Sequence, residues 1–444
     1  MLLQGCDAPI FPGIRGREVD VAVDPNDRSR VAAAAMVSIP STRGESRGAD
    51  LAVWTGVARS SDGGRTWQTM DLPNYPGDTE HPAGPFTGAA VLGDPIVGFL
   101  PNGDLLLSAI YVVGGAQYNM FTARFRGDSM EMTDVVTFSR GGWGDPALND
   151  VPGVNPVAYN DKQDIAIDPE TGGLYVSWMW RSNLRGTTSV PVVSYSPDGG
   201  LTWEGPVTLV DALGAGLTSD DAHIGAAPFL LADEVHVVWL RQGTDSLWMA
   251  SAPRGTLDFG EPREIAKTGG SAGSGNSVLT SSLPQLAVGP RSDGTGQRVW
   301  MAAVIAGDGY DIGLWHSDDA QTWVGPVVPY PRTAQDQLHP AVALDETGHL
   351  AVQYIDRSDD PDNAVYNAVV SLSDDDGATF RQVRMSSEPS NAFQTGDKAQ
   401  GHVGDYFGNA ITSEGALGAW QDGREGTAEN GYSEVYGCVV PLDV

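Results

Sequence analysis

The chain has 444 residues, 41% of them apolar, with 56 glycines, 29 prolines and 12 tryptophans, and carries a formal net charge of −31. So large an acidic excess repels nucleic acid and anionic membrane surfaces, and no apolar run approaches the roughly 20 residues of a membrane-spanning helix. Composition suits short strands joined by many tight turns, and nothing reads as a helix of any length.

The first landmark is Cys6, whose only counterpart is Cys438 at the other end of the chain. In an intracellular protein these would be two unrelated thiols. In a ring-shaped fold the ends meet, and a bridge between them would staple the ring and argue for an oxidising compartment. The segment Met1-Leu2-Leu3-Gln4-Gly5-Cys6 faintly resembles the end of a lipoprotein signal but lacks its charged and apolar regions. The expectation is a secreted or cell-surface protein whose export signal has been trimmed or is absent.

From there the chain repeats one unit: an apolar first strand, a turn, a Val/Trp/Ala-rich second strand, a third strand running into an Asp-Gly turn, and a short fourth strand. First strands begin near Glu18, Asp94, Lys162, His223, Leu283, His339 and Tyr406. The units span 18–85, 90–140, 160–210, 222–266, 282–330, 337–388 and 402–441. The last is one strand short, and the N-terminal segment 8–14 is placed to supply it, which removes exposed edges. The expected fold is all-β: a single propeller of four-stranded antiparallel blades, seven favoured, six if one unit is misread.

Four of these units carry copies of one turn at the end of the third strand. Three are Ser60-Ser61-Asp62-Gly63-Gly64-Arg65-Thr66-Trp67, Ser196 to Trp203 and Ser373 to Phe380; a weaker one is His316-Ser317-Asp318-Asp319-Ala320-Gln321-Thr322-Trp323. The turn resembles the Asp box of the bacterial neuraminidase repeat superfamily, which includes sialidases and other propeller enzymes acting on glycans. The resemblance implies that Asp62, Asp198, Asp318 and Asp375 are structural. Tyr354-Ile355-Asp356-Arg357 and Trp420-Gln421-Asp422-Gly423-Arg424 resemble the Asp-x-Arg segments of secreted sialidase-like proteins. The sialidase signature is incomplete: Ile14-Arg15 is a poor match to the first-arginine segment, and no Tyr/Glu nucleophile pair can be placed.

Strand direction alternates within a blade, so chemistry is expected on the face opposite these turns, around the channel mouth. Second strands end there with Arg181, Arg241, Arg357 and Arg424, the last two beside Asp356 and Asp422. A rim of guanidinium forks would grip a carboxylate-bearing sugar bidentately; alternatively each arginine pairs with a neighbouring aspartate. First strands offer Glu18 with Asp20, Asp94, Lys162 with Asp164, His223, His339, and His402 with Asp405 and Tyr406 as acid/base candidates. Asp94, Asp164, His223, His339, His402, Asp405 and Tyr406 are the catalytic candidates, Tyr406 as a sialidase-type nucleophile. No metal spacing is evident. Ca²⁺ at Asp359-Asp360-Pro361-Asp362 or Ser219-Asp220-Asp221 remains open, and no cofactor is required.

Three functions fit: a sialidase-like hydrolase of an acidic oligosaccharide or polysaccharide, a lyase of a uronate polymer, or a non-catalytic glycan-binding or assembly propeller. The loops 68–91, 140–161 and 268–282 are expected to wall the site, with Trp143 and Tyr159 as sugar-stacking candidates.

Overall fold

The structure is a computed structural model that describes residues 6–40, 51–114, 117–140, 158–182, 188–210, 222–269, 283–395, 403–427 and 429–443. His402, Trp143 and the Asp220-Asp221 pair lie outside the described residues. The strands form seven antiparallel sheets in up-and-down order, one of them with a short extra strand, Ser390–Asn391, paired to its third strand. The first strands are Gly16–Asp24, Ala89–Phe99, Ala158–Ile167, His223–Leu231, Gln285–Pro290, Gln337–Leu344 and Gly408–Thr412, here those of blades 1 to 7. Each packs against the first strand of the next blade, and blade 7 packs back on blade 1. This closed ring lines a central channel, and the molecule is a seven-bladed propeller.

Inter-blade packing follows from side-chain alternation. Second strands carry one large aromatic at the level of the channel-side end, Trp178, Trp239, Tyr354 and Trp420 in blades 3, 4, 6 and 7, all at most 1% exposed; in blade 5 Trp300 lies nearer the Ser-x-Asp turn. A flat ring buries much apolar area at little entropic cost, so one aromatic per blade fills the wedge between neighbouring sheets. The only helices among the described residues are two single 3₁₀ turns, Gln242–Thr244 and Ala392–Gln394. No described helix is long and apolar enough to cross a membrane.

Closure uses both termini. The strand Ala8–Pro9 pairs with Glu434–Val440 as the outer strand of blade 7, and Ile10 N donates to Val435 O at 2.8 Å. The closing strand is thus shorter than the segment 8–14. Cys6 and Cys438 are disulfide-bonded, with Cα atoms 5.2 Å apart. Beside them Arg424 donates to Asp422 at 2.9 Å and to Ser387 at 2.9 Å, also contacts Asp7, and covers the Tyr436 ring at 4.3 Å from its centroid.

The Ser-x-Asp-x-Gly-x-Thr turns are built identically. Asp62 accepts from Ser60 Oγ (2.7 Å), Arg65 N (3.1 Å), Thr66 N (2.9 Å) and Thr66 Oγ1 (2.6 Å). Burial works against ionisation, but these donors draw the Asp62 carboxyl down to about 2. Asp198 and Asp375 repeat the pattern. The fourth copy corrects the expectation. There Asp319, not Asp318, accepts from Ser317 Oγ (3.0 Å), Gln321 N (2.8 Å) and Thr322 N (2.7 Å). From Ser317 to Thr322 the copy is one residue shorter than from Ser60 to Thr66, so the capping aspartate shifts by one place. Asp318 instead pairs with Arg298 at 2.6 Å and Arg291 at 2.7 Å.

Candidate active site

First strands in five blades break register at one level: at Glu18, Asp94, Lys162, Gly225 and His339. All five residues have positive φ: 50°, 51°, 54°, 68° and 54° respectively. Glycine adopts this conformation freely, but for a Glu, Asp, Lys or His it costs on the order of 1–3 kcal/mol. A bulge re-aims the side chain it carries. These strained residues therefore form one layer around the channel, on the face away from the Ser-x-Asp turns, because Glu18 pairs near the end of its hairpin partner whereas Ser60 pairs near that partner's start.

Three of these residues meet. Lys162 Nζ of blade 3 lies 3.7 Å from Glu18 of blade 1, 3.4 Å from Asp94 of blade 2, and contacts Asp405 of blade 7. Their side chains are between 4% and 13% exposed, so the charges act through protein rather than bulk water. Burial pushes the Glu18 carboxyl well above the usual range, and the nearby Asp94 and Asp405 charges add to this against the pull of Lys162. Asp94 goes the other way: burial opposes its ionisation, but Lys162 and hydrogen bonds with Glu18 and Asp161 hold it below the usual range. Lys162 stays protonated far above neutrality, its desolvation outweighed by Asp94, Glu18, Asp405 and Asp161. Asp161, which burial lifts to about 6, joins Arg181 Nε at 3.0 Å.

Of the sequence candidates, Asp94, Asp405 and Arg181 are thus brought to one cluster, with Asp164 one layer deeper. Tyr406 also reaches the channel, but its hydroxyl donates to Pro95 O at 3.0 Å, and burial with the surrounding carboxylates raises its phenol far above its ordinary value. That is the reverse of an activated nucleophile. His339 is 1% exposed, hydrogen-bonds Gly404 O at 2.8 Å and stacks on Phe407 with centroids 5.1 Å apart. It ties blade 6 to blade 7. His223 is 6% exposed, edge-on to Trp239.

The arginine rim is not assembled. Arg424 is committed to Asp7 and Asp422. Arg357 is 1% exposed and donates inward to Asn363 O at 2.6 Å. Arg241 lies over Trp248, 5.7 Å from its ring centroid. Asp356 accepts from Gln337 (2.8 Å) and Ser358 N (3.0 Å), and Asp422 from Trp420 (2.9 Å) and Ser390 (2.8 Å), so both are turn and strand-end caps. Asp360 caps its own turn through Asp362 N, Ala364 N and Val365 N. Among the described residues no group of three or more His, Cys, Asp or Glu is arranged to hold a metal ion. Tyr159 packs on Tyr118, centroids 5.2 Å apart. Asp161 was not visible in the sequence as a site residue, because only the bulge beside it turns Lys162 and Asp161 toward the same cluster.

No family model matches the chain, and no curated protein matches it. Solved structures do. A protein of unknown function from Dyadobacter fermentans is 12% identical with a TM-score of 0.51, the match covering 98% of each chain. A GH93 α-L-arabinofuranosidase of Fusarium graminearum, solved with arabinobiose, is 12% identical with a TM-score of 0.51 over 84% of this chain and 97% of that one. A Hadza microbial sialidase is 13% identical with a TM-score of 0.49, over 77% of this chain and 63% of its own. At such identities the likeness establishes the fold alone.

Proposed function

We propose that the protein is a carbohydrate-active propeller, a glycoside hydrolase whose working carboxyls are Glu18, Asp94 and Asp405. One observation carries this reading. Two carboxyls from adjacent blades, both lifted on left-handed bulges toward one lysine, have proton affinities driven in opposite directions by their surroundings. That division leaves one proton on Glu18 beside an ionised carboxylate at neutral pH, which is what a general acid requires. Glu18 keeps its proton and serves as general acid to the departing sugar oxygen. Asp94 stays ionised and, hydrogen-bonded to Glu18, orients that proton; the two are too close to flank a glycosidic bond, so Asp405, on the same lysine, is the carboxylate that activates water. Lys162 holds Asp94 and Asp405 in place and keeps their charge tolerable in a partly desolvated pocket.

The substrate is a neutral glycan. Arg357 and Arg424 point into the protein, and Asp94, Asp161 and Asp405 would repel a sugar carboxylate, which argues against the sialosides and uronates suggested by the arginine pattern. Arabinobiose, the ligand of the propeller neighbour, is a neutral pentose disaccharide and a rational first probe. The disulfide favours a secreted or cell-surface protein, since such bonds persist in oxidising compartments.

The test is a product screen by mass spectrometry on neutral arabinans, xylans and galactans, with sialosides and uronate polymers alongside, for wild type, Glu18→Gln and Asp94→Asn. Expected are reducing sugars from a neutral glycan, with kcat lowered about 10²–10⁴-fold in either variant while the melting temperature holds. Free sialate, unsaturated uronate, or binding without products would each replace this reading.

A further inference from the structure

Beneath the Lys162 cluster the channel narrows into a chamber of about 40 Å³, lined by Asp20, Asp164, Gln163, Lys162 and Tyr406 on one side and by Gly225 and Leu283 on the other. That is room for roughly two or three water molecules. Two residues past each bulge, the first strands place Asp20 in blade 1 and Asp164 in blade 3, whereas the same step gives Ile96, Ala227 and Ala341 in blades 2, 4 and 6.

The chamber is short of hydrogen-bond donors. Asp20 accepts from Val97 N at 2.8 Å, and Asp164 from Ile165 N at 2.7 Å. Gln163 is 4% exposed, and its Oε1 has no hydrogen-bond partner. No salt bridge reaches Asp20 or Asp164 among the described residues, while the Lys162 ammonium is turned to Glu18, Asp94 and Asp405. Two ionised carboxylates around one small cavity repel each other, and among the described residues no cation is paired with either.

We propose that Asp20 and Asp164 hold a single proton between them at neutral pH, across the chamber that both line. Burial lifts each carboxyl to about 7, and Asp20 raises Asp164 further by its charge. The other titratable groups lining the chamber with the pair are Lys162 of blade 3 and Tyr406 of blade 7. Blades 4 and 5 present Gly225, Ala227 and Gln285 at this level, none of them titratable. The inference stands apart from the hydrolase reading because its test needs no substrate.

The test is infrared difference spectroscopy of the carboxyl C=O band between about pH 5 and 9, on wild type, Asp20→Asn, Asp164→Asn and, as a control, Asp161→Asn. Wild type is expected to lose a protonated-carboxyl band with a midpoint near 7. Either single amide at the pair donates to the surviving carboxylate and moves its midpoint down by about one unit or more, at least a tenfold fall in proton affinity; Asp161→Asn leaves the midpoint in place. A wild type without the step, or a step kept at its midpoint in Asp20→Asn or Asp164→Asn, overturns the proposal. If neither amide variant folds, Asp164→Glu decides: the longer arm must displace the midpoint by about half a unit, and an unmoved midpoint refutes the pairing.

Discussion

Replacing Arg424 with methionine separates two roles for this residue, closure of the ring and capture of an anion. The guanidinium sits between Asp7 and Asp422, with side chains 9%, 1% and 0% exposed respectively. Burial disfavours its charge, but Asp422 and Asp7 raise its proton affinity above the ordinary arginine value. Methionine keeps the aliphatic stem and leaves two buried carboxylates without their cation, a change that costs about 3–5 kcal/mol. With an unfolding entropy of roughly 2.1 cal/mol/K per residue over 444 residues, that is a melting point lowered by about 3–5 °C if the ring unfolds as one unit. The pH dependence has a definite sign. Burial opposes ionisation of Asp7, but hydrogen bonds from Ser387 and Arg424 hold its carboxyl below the usual range. That stabilisation is present above the unfolded carboxyl value near 3.9 and is lost as pH falls through the folded one. In calorimetry, Arg424→Met should be destabilised near pH 7, and its deficit should shrink below about pH 4. A variant that melts with wild type at pH 7 but loses glycan affinity would refute the closure role.

Two further outcomes follow from the same framework. Reduction of Cys6–Cys438, or Cys438→Ser, frees a 432-residue loop and should cost about 2–5 kcal/mol, read as a lower melting point that reductant produces in wild type but not in the variant. Asp319→Ala removes the acceptor of the Gln321 and Thr322 amides, so hydrogen exchange there should accelerate, whereas Asp318→Ala should leave it protected; equal protection in both variants would return the capping role to Asp318.

Local chemistry carried the architecture. Period-2 strands, turn residues and the repeated Ser-x-Asp turns depend on neighbours a few positions away, which is why blade number, blade order and the face marked by those turns could be read directly from the chain. One slip, Asp318 for Asp319, came from a missing residue that shifts the cap without altering composition. The pairing of Cys6 with Cys438 was legible only through the ring, since ring closure brings together ends that sequence distance keeps apart.

The site was legible as a level but not as a constellation. Lys162 meets Glu18, Asp94 and Asp405 from three other blades, the last 243 positions away along the chain, and no periodicity encodes such a meeting. The arginines read as a rim because their second-strand positions are equivalent, yet rotamer and neighbours send Arg424 and Arg357 inward and leave only Arg181 at the cluster. Left-handed bulges at Glu18, Asp94 and Lys162 are conformations that no local preference of Glu, Asp or Lys selects; the closed ring imposes them. The repeat thus determined that this chain is a propeller and which face to search, while tertiary packing around the channel decided which charges meet there and which of them keep their protons.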